Sequence, residues 1–451
     1  MTSDRFVDSL IRAGYDSDAA RSRAVWLART DAEFERVTGS PPDWRWCVPG
    51  RIEIFGKHTD YAGGRSLLAA VPRGFAVAAR ARDDDRVRVM DARHGESIII
   101  DVHDTQRTWR GWANYAAVTV RRFHQNFPGA ALGMDIAIAS DLPRAAGLSS
   151  SSAFVVSIAL ALIRTAGLDT RDDWQREITC LEDLAWYLGC VENGLTYRSL
   201  DGTAGVGTQG GSQDHTAIVA CRPGMVSHYS FMPVKAHGET VMPASWRFVV
   251  ASSGVHADKA GTVRERYNRA SEAVQALLGI WNAIAQEPSV SLAAALGSSA
   301  DAQDRLHQAI RNDSSARRGS GLPEFSIEDL DRRLLMFARE TARVPQAAAA
   351  FGSADQARLE GLTRSSQEDA ERLLGNQIPE TVALASMAYD LGAFAASAFG
   401  AGFGGSVWAL VPAADAAAFG DAWLRRYREV FPFRDTCESF SAMPGPGAVA
   451  I

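Results

Sequence analysis

Lysine is nearly absent from this chain: Lys57, Lys235 and Lys259 are the three among 47 basic residues, so almost every positive charge is an arginine. The 47 basic residues face 53 acidic ones for a net charge of −6, and no long basic block occurs. That balance argues against nucleic acid or an anionic membrane as the main partner. Cysteine is scarce too. Cys47, Cys180, Cys190, Cys221 and Cys437 lie scattered without metal-ligand spacing, and an odd count suits reduced thiols better than a disulfide framework. No apolar run reaches membrane-spanning length, and the polar, acidic start Met1-Thr2-Ser3-Asp4 is not a secretory signal. The chain therefore reads as cytoplasmic. Internal repeats are absent as well.

What the chain does have is enough apolar material for a large core. At 451 residues and 46% hydrophobic, it reads as two domains or one large elaborated one. Residues 1–43 carry a helical pattern and form an N-terminal elaboration. From Trp44 to Val102, β-branched runs such as Ile52-Glu53-Ile54-Phe55 and Ile98-Ile99-Ile100 predict a strand-rich sheet. Met134 to Ala139 reads as a strand, Ala153 to Ala166 as a core helix, and Thr216 to Ala220 as a strand. The turn Arg222-Pro223-Gly224 then hands over from a first domain, 44–224, to a second, 225–451. In the second, Trp246 to Ala251 predicts a strand, Lys259 to Ala285 a helix, and further helices cover 299–311, 327–351, 355–374 and 379–391. The polar, Ser/Arg/Gly-rich stretch Asn312 to Gly321 reads as a mobile loop.

Three motifs carry chemistry. In Leu142-Pro143-Arg144-Ala145-Ala146-Gly147-Leu148-Ser149-Ser150-Ser151-Ser152-Ala153, a glycine and four hydroxyls join a strand to a helix. At a helix N-terminus the first N–H groups lack partners and the dipole is positive, so phosphate oxygens can be held there without a lysine. The same residues also suit a plain serine-rich helix entry. In Gly50-Arg51-Ile52-Glu53-Ile54-Phe55-Gly56-Lys57-His58-Thr59-Asp60-Tyr61-Ala62-Gly63-Gly64, polar groups cluster after an apolar strand. A Walker loop is ruled out, because Arg51 stands where its first glycine should be and His58 where Ser or Thr is required. Asp60 can accept from hydroxyls and His58 can donate or accept, which fits a polyhydroxyl ligand. The glycines of Phe399-Gly400-Ala401-Gly402-Phe403-Gly404-Gly405-Ser406 predict backbone packed against a ligand or another loop.

In this order the motifs resemble the GHMP small-molecule kinases, the superfamily of galactokinase, homoserine kinase, mevalonate kinase and phosphomevalonate kinase. The segment 50–64 resembles the galactokinase opening Gly-Arg…Gly-Glu-His-Thr-Asp-Tyr…Gly-Gly, and Trp112-Ala113-Asn114-Tyr115 and Gly211-Ser212-Gln213-Asp214 are similar to further galactokinase segments. The resemblance runs from Trp46 to Pro444-Gly445-Pro446-Gly447-Ala448. It implies a two-domain α+β fold with the active site in the cleft between domains, and a last strand near 438–442 that returns to the first domain.

The same resemblance implies an ATP-dependent kinase acting on the C1 hydroxyl of a free hexose, galactose by default. Asp214 would face that hydroxyl with Arg51 beside it, and Lys57, His58, Asp60, Gly211 and Asp214 would line the sugar. Gly147, Leu148, Ser149, Ser150, Ser151 and Ser152 would hold ATP, and Ser151, or its neighbour Ser150, with Glu192 would hold Mg2+. Glu192 stands farther from Asp214 than in the family, with Leu195 to Gly210 reading as an insertion. Two departures bear on substrate. Lys57 replaces the glutamate that meets the sugar's outer hydroxyl, which opens the alternative of a C6-modified hexose such as galacturonate. Gly261 falls, in an ungapped match, where a pocket tyrosine belongs. A catalytically silent sugar sensor on the same scaffold is the alternative from another class.

Overall fold

The computed structural model describes residues 3–143, 146–255, 261–312 and 324–451. Its strands are β1 (Trp44–Phe55), β2 (Arg65–Ala81), β3 (Arg86–Asp91), β4 (Ser97–Asp101), β5 (Met134–Ser140), β6 (Met225–Ser230), β7 (Lys235–Val241), β8 (Trp246–Ser252), β9 (Ala395–Phe399), β10 (Ser406–Pro412), β11 (Ser439–Ala442) and β12 (Val449–Ala450). They form two sheets, the mark of a mixed α+β protein in two domains. The first runs β12-β1-β2-β5-β3-β4, with β6 on the other end of β2 and β7 beyond it; the second runs β11-β8-β10-β9. All pairs are antiparallel except β3 with β5, which the helix Trp112–Asn126 makes possible as the crossover between β4 and β5.

β2 forms the spine of the first sheet because it is long and apolar on both faces: its residues Leu67, Leu68, Ala69, Ala70 and Val71 are all buried. The N-terminal helix Ser17–Thr38, capped by Asp16, packs on β2 and β5. On the opposite face the helices Ser150–Thr165, Leu181–Asn193 and Gln213–Ala220 close the largest core. That core runs on into the second half through Phe248, Val344, Phe351 and Leu410, so the halves share apolar packing rather than a hinge of loops. The β1–β2 register shifts between Pro49 and Arg51 and again between Glu53 and Phe55. Such irregularities re-aim side chains, and here they bracket Arg51 and Glu53.

Three expectations change. Thr216 to Ala220 belongs to the helix Gln213–Ala220, where the Thr216 hydroxyl donates to the Ser212 carbonyl at 2.8 Å. The apolar run that resembled a strand is a helix buried on every side. The chain does not leave the first sheet at Gly224, because β6 and β7 pair with β2 and with each other before β8 starts the second sheet. The strand near 438–442 does not return to the first domain: β11 pairs with β8, and the return is made by Gly445 opposite Ala70 and by β12 on β1. The helix expected from Lys259 spans Gly261–Ile284, with Lys259 outside the described residues, as are residues 313–321 of the expected loop. Among the described residues no helix is long and apolar enough to cross a membrane.

Candidate active site

Between the halves lies a cavity of roughly 610 Å³. Arg51, His58, Asp60, Gly147, Ser149, Ser150, Ser151, Ser152, Glu192, Gly211 and Asp214 line it together, so all but two of the sequence-predicted residues converge on one cleft. Leu148 is one exception. Its side chain is in the core, and its carbonyl accepts from the Arg51 backbone N–H at 3.3 Å, tying the serine loop to β1. Lys57 is the other. Its ammonium donates to the Ser366 hydroxyl at 2.7 Å and lies 4.0 Å from Glu340, in a buried cluster completed by Arg343 and Asp369. Burial lowers the Lys57 pKa in spite of Glu340 and Glu53. The placement of Lys57 in the sugar pocket is therefore corrected: the backbone turn at Gly56, anchored by the Gly56 N–H to Glu340 at 2.9 Å, sends the side chain into the second half's helices.

At the cleft floor Arg51 donates through Nε to Asp214 at 2.7 Å and through Nη1 to the Gly147 carbonyl at 2.6 Å. Burial opposes the Arg51 charge, but Asp214, Glu53 and Asp60 outweigh it and raise its pKa. Asp214 sits in the first turn of the helix Gln213–Ala220, where the dipole favours a carboxylate. Asp60 accepts from the Gln213 N–H at 3.1 Å; burial, then Asp214, raises its pKa. Gly211 has no room for a side chain, since a Cβ there would stand 2.4 Å from Asp60 Oδ2.

The serine loop enters its helix through Gly147 (φ +75°) and Ser149 (φ +58°), both left-handed, which turns the Ser150–Ser152 backbone to the cleft. Arg144 and Ala145 lie outside the described residues. The glycine-rich turn after β9 packs against this loop: a Cβ on Gly400 would meet the Gly147 carbonyl at 2.9 Å, and the Ser406 hydroxyl donates to the Ala146 carbonyl at 2.6 Å. Another loop, then, is what those glycines accommodate. Glu192 ends the helix Leu181–Asn193, with His215 Nε2 3.0 Å from its Oε2. The stretch 195–210 loops out and comes back through Asn193, whose Oδ1 accepts from the Gly210 N–H at 2.8 Å, so the extra length leaves Glu192 and Asp214 in one cleft.

Sequence reasoning missed two wall residues. Glu53, two positions beyond Arg51 on β1, accepts from the Gly400 N–H at 3.1 Å; burial pushes its carboxyl up to about 7 against the pull of Arg51 and Lys57. An acid among the apolar residues of a central strand was the available signal. Tyr267 stands with its ring 5.1 Å from His58, and burial raises its pKa well above the usual value. The pocket is thus lined by a tyrosine, carried by the helix Gly261–Ile284 six positions beyond Gly261.

Comparison with known proteins agrees with this architecture. Residues 32–81 match the galactokinase galactose-binding signature, 114–183 the GHMP kinase N-terminal domain and 347–429 the GHMP kinase C-terminal domain. The chain is a galactokinase-like GHMP kinase. The galactokinase of Roseiflexus sp. is 27% identical over 423 residues, covering 92% of this chain and 95% of the relative, and that of Chloroflexus aurantiacus is 28% identical over 89% of this chain and 92% of the relative. A crystal structure of Lactococcus lactis galactokinase complexed with galactose has the same fold, with a TM-score of 0.74 at 20% identity over 94% of this chain and 100% of that one. This GHMP kinase is thus a phosphotransferase acting on a sugar hydroxyl. Its signature begins at residue 32, inside the N-terminal helix, so the family match reaches further forward than Trp46.

Proposed function

We propose that this sugar kinase is a galactokinase, transferring the terminal phosphoryl group of ATP to the C1 hydroxyl of free galactose. One observation carries the reading: the Arg51–Asp214 pair lies at the floor of the cleft on which the serine loop and the His58–Asp60 turn both open. Phosphoryl transfer through a loose transition state needs alignment and charge neutralisation more than covalent help. Asp214 would take the proton of the attacking hydroxyl, and Arg51 would keep Asp214 ionised and offset charge on the group in transit. His58, Asp60, Gly211 and Tyr267 would face the sugar ring. The backbone and hydroxyls of Gly147–Ser152, at a helix N-terminus, would hold the nucleotide phosphates.

Ser151 and Glu192 line the same cleft and offer the hard oxygen donors that Mg2+ takes. Bound there, the ion would neutralise phosphate charge. Lys57 gives no support to a uronate substrate, since its ammonium is buried with Glu340 and Ser366.

The test is ADP release over a panel of galactose, glucose, N-acetylgalactosamine and galacturonate, with the product's phosphate position read by phosphorus NMR. Galactose-dependent ADP release with phosphate on C1 is expected. Binding of sugar and ATP without turnover would instead identify a sensor, and strong preference for another sugar would replace galactose.

A further inference from the structure

Arg333 lies on the helix Ile327–Gly352, is 4% exposed and is not among the residues that line the cleft. Its guanidinium nevertheless meets the His58 turn, Tyr61 and the helix that carries Tyr267 at once. Nη2 donates to the His58 carbonyl at 2.6 Å and to the Tyr61 hydroxyl at 3.0 Å, while Nε donates to the Ala270 carbonyl at 3.2 Å. Ala270 lies three residues beyond Tyr267 on the same helix, one turn from the tyrosine that faces His58. The guanidinium also lies over the Tyr61 ring, 5.6 Å from its centroid. A rigid fork of donors can hold three acceptors in one plane, which an ammonium on a flexible stem cannot.

We infer that Arg333 is a positioning residue of the sugar subsite, holding the His58 turn in shape and, through the Tyr61 hydroxyl, biasing which nitrogen of His58 carries the proton. The inference rests on the reading that this end of the cleft takes the sugar. Its first part follows from the backbone. His58 has φ +56°, a left-handed conformation uncommon for a residue with a side chain, and the Arg333 bond to the His58 carbonyl holds that turn in place.

The second part follows from donor and acceptor counting. His58 Nε2 lies 3.2 Å from the Ala401 carbonyl, which only accepts, so Nε2 carries the proton. Nδ1 is then the acceptor, and its partner at 2.9 Å is the Tyr61 hydroxyl. With Nδ1 the acceptor, the Tyr61 hydroxyl donates to it while accepting from Arg333, which holds the phenol oxygen in place. The chain Arg333 to Tyr61 to His58 thus favours, from the Nδ1 side, the same tautomer that the Ala401 carbonyl favours at Nε2. A hydrogen bond to the other ring nitrogen commonly decides the tautomer of a functional histidine.

The experiment compares Arg333→Gln, Arg333→Lys and Tyr61→Phe in the full-length protein. Nitrogen-15 spectra of histidine-labelled protein read the tautomer, with the His58 signals identified by their loss in His58→Asn. Steady-state kinetics with galactose and ATP read KM and kcat. Expected are a single Nε2–H form in the wild type, a mixture of tautomers in Tyr61→Phe, and a rise of about 10-fold in galactose KM in Arg333→Gln with ATP KM unchanged, as for the loss of one hydrogen bond. Arg333→Lys should recover only part of the loss. A folded Arg333→Gln protein with wild-type galactose KM overturns the inference, and so does Tyr61→Phe with an unchanged tautomer. If Arg333→Gln does not fold, Tyr61→Phe decides, because it keeps the Arg333 clamp and removes only the relaying hydroxyl. If the wild type turns over no galactose, the substrate reading has failed, while the tautomer in the free protein still tests the role of Arg333.

Discussion

Arg51 on β1 and Asp214 in the first turn of a helix, 163 positions apart in the chain, are joined by a 2.7 Å hydrogen bond at the floor of the cleft. The arginine is nearly fully buried and the carboxylate is partly open to the cavity, with side-chain exposures of 3% and 19%. A buried cation with a half-open acid beside it can hold charge in place while the acid meets a substrate proton.

Asp214→Asn keeps the shape and removes the proton acceptor. Turnover should fall by at least about 10²-fold, the range expected for losing a positioned base, while calorimetry shows sugar still bound. Near-normal turnover in the folded variant would end the assignment.

The hydroxyl loop gives a second expectation. A bulky residue at Ser150 or Ser151 should raise the ATP KM well beyond any change in sugar affinity, since these residues open the helix whose N–H groups face the cleft. Separate titrations of each ligand check it; selective loss of sugar affinity would assign the loop to the other substrate.

Lys57→Glu should unfold the protein more easily rather than change its sugar preference. The new carboxylate would be buried against Glu340 and near Asp369, and breaking such a buried pair costs about 3–5 kcal/mol. Chemical denaturation should show a loss of that order, with the ratio of galactose to galacturonate activity unaltered. The double variant Lys57→Glu with Glu340→Lys should regain part of the stability. A shifted sugar ratio would return Lys57 to the pocket.

Glu53 predicts a pH dependence of stability. Its carboxyl is raised to about 7 in the folded protein, chiefly by burial, above the usual carboxylate value of 4.5. Between those two values the folded state holds a proton that the unfolded state has released, so its contribution favours folding at low pH and is lost as pH rises through 7. Over that window the loss is on the order of 3 kcal/mol. Glu53→Gln should flatten this part of the stability profile between pH 4.5 and about 7 in denaturation curves. An unchanged slope would mean that Glu53 titrates as an ordinary acid.

The serine loop and the segment 50–64 were legible as local patterns with their own chemistry, whereas Asp214 was legible only through the family resemblance. What stayed hidden depends on distant neighbours. The direction of Lys57 is decided by Glu340 and Ser366, far along the chain and on different helices. Tyr267 was missed because nothing in its own neighbourhood marks it, and it meets His58 only once the helix Gly261–Ile284 packs beside the His58 turn. β9, Ala-Ala-Ser-Ala-Phe, has no β-branched residue and gave no strand signal, yet pairing with β10 makes it one. β7 is exposed along nearly its whole length and is a strand only because β6 offers it an edge. Ile218 and Val219 misled in the other direction, since strand formers are tolerated in a helix where core packing surrounds them.

The contact between Gly147 and Gly400 also limits how this protein can be re-engineered. Neither backbone leaves space for a methyl group on Gly400, so each loop acts as the mould of the other. A chimera that borrows one of these loops from a relative inherits a surface cut to fit a partner it has left behind. The two segments, distant in the chain, have to be exchanged as a matched pair.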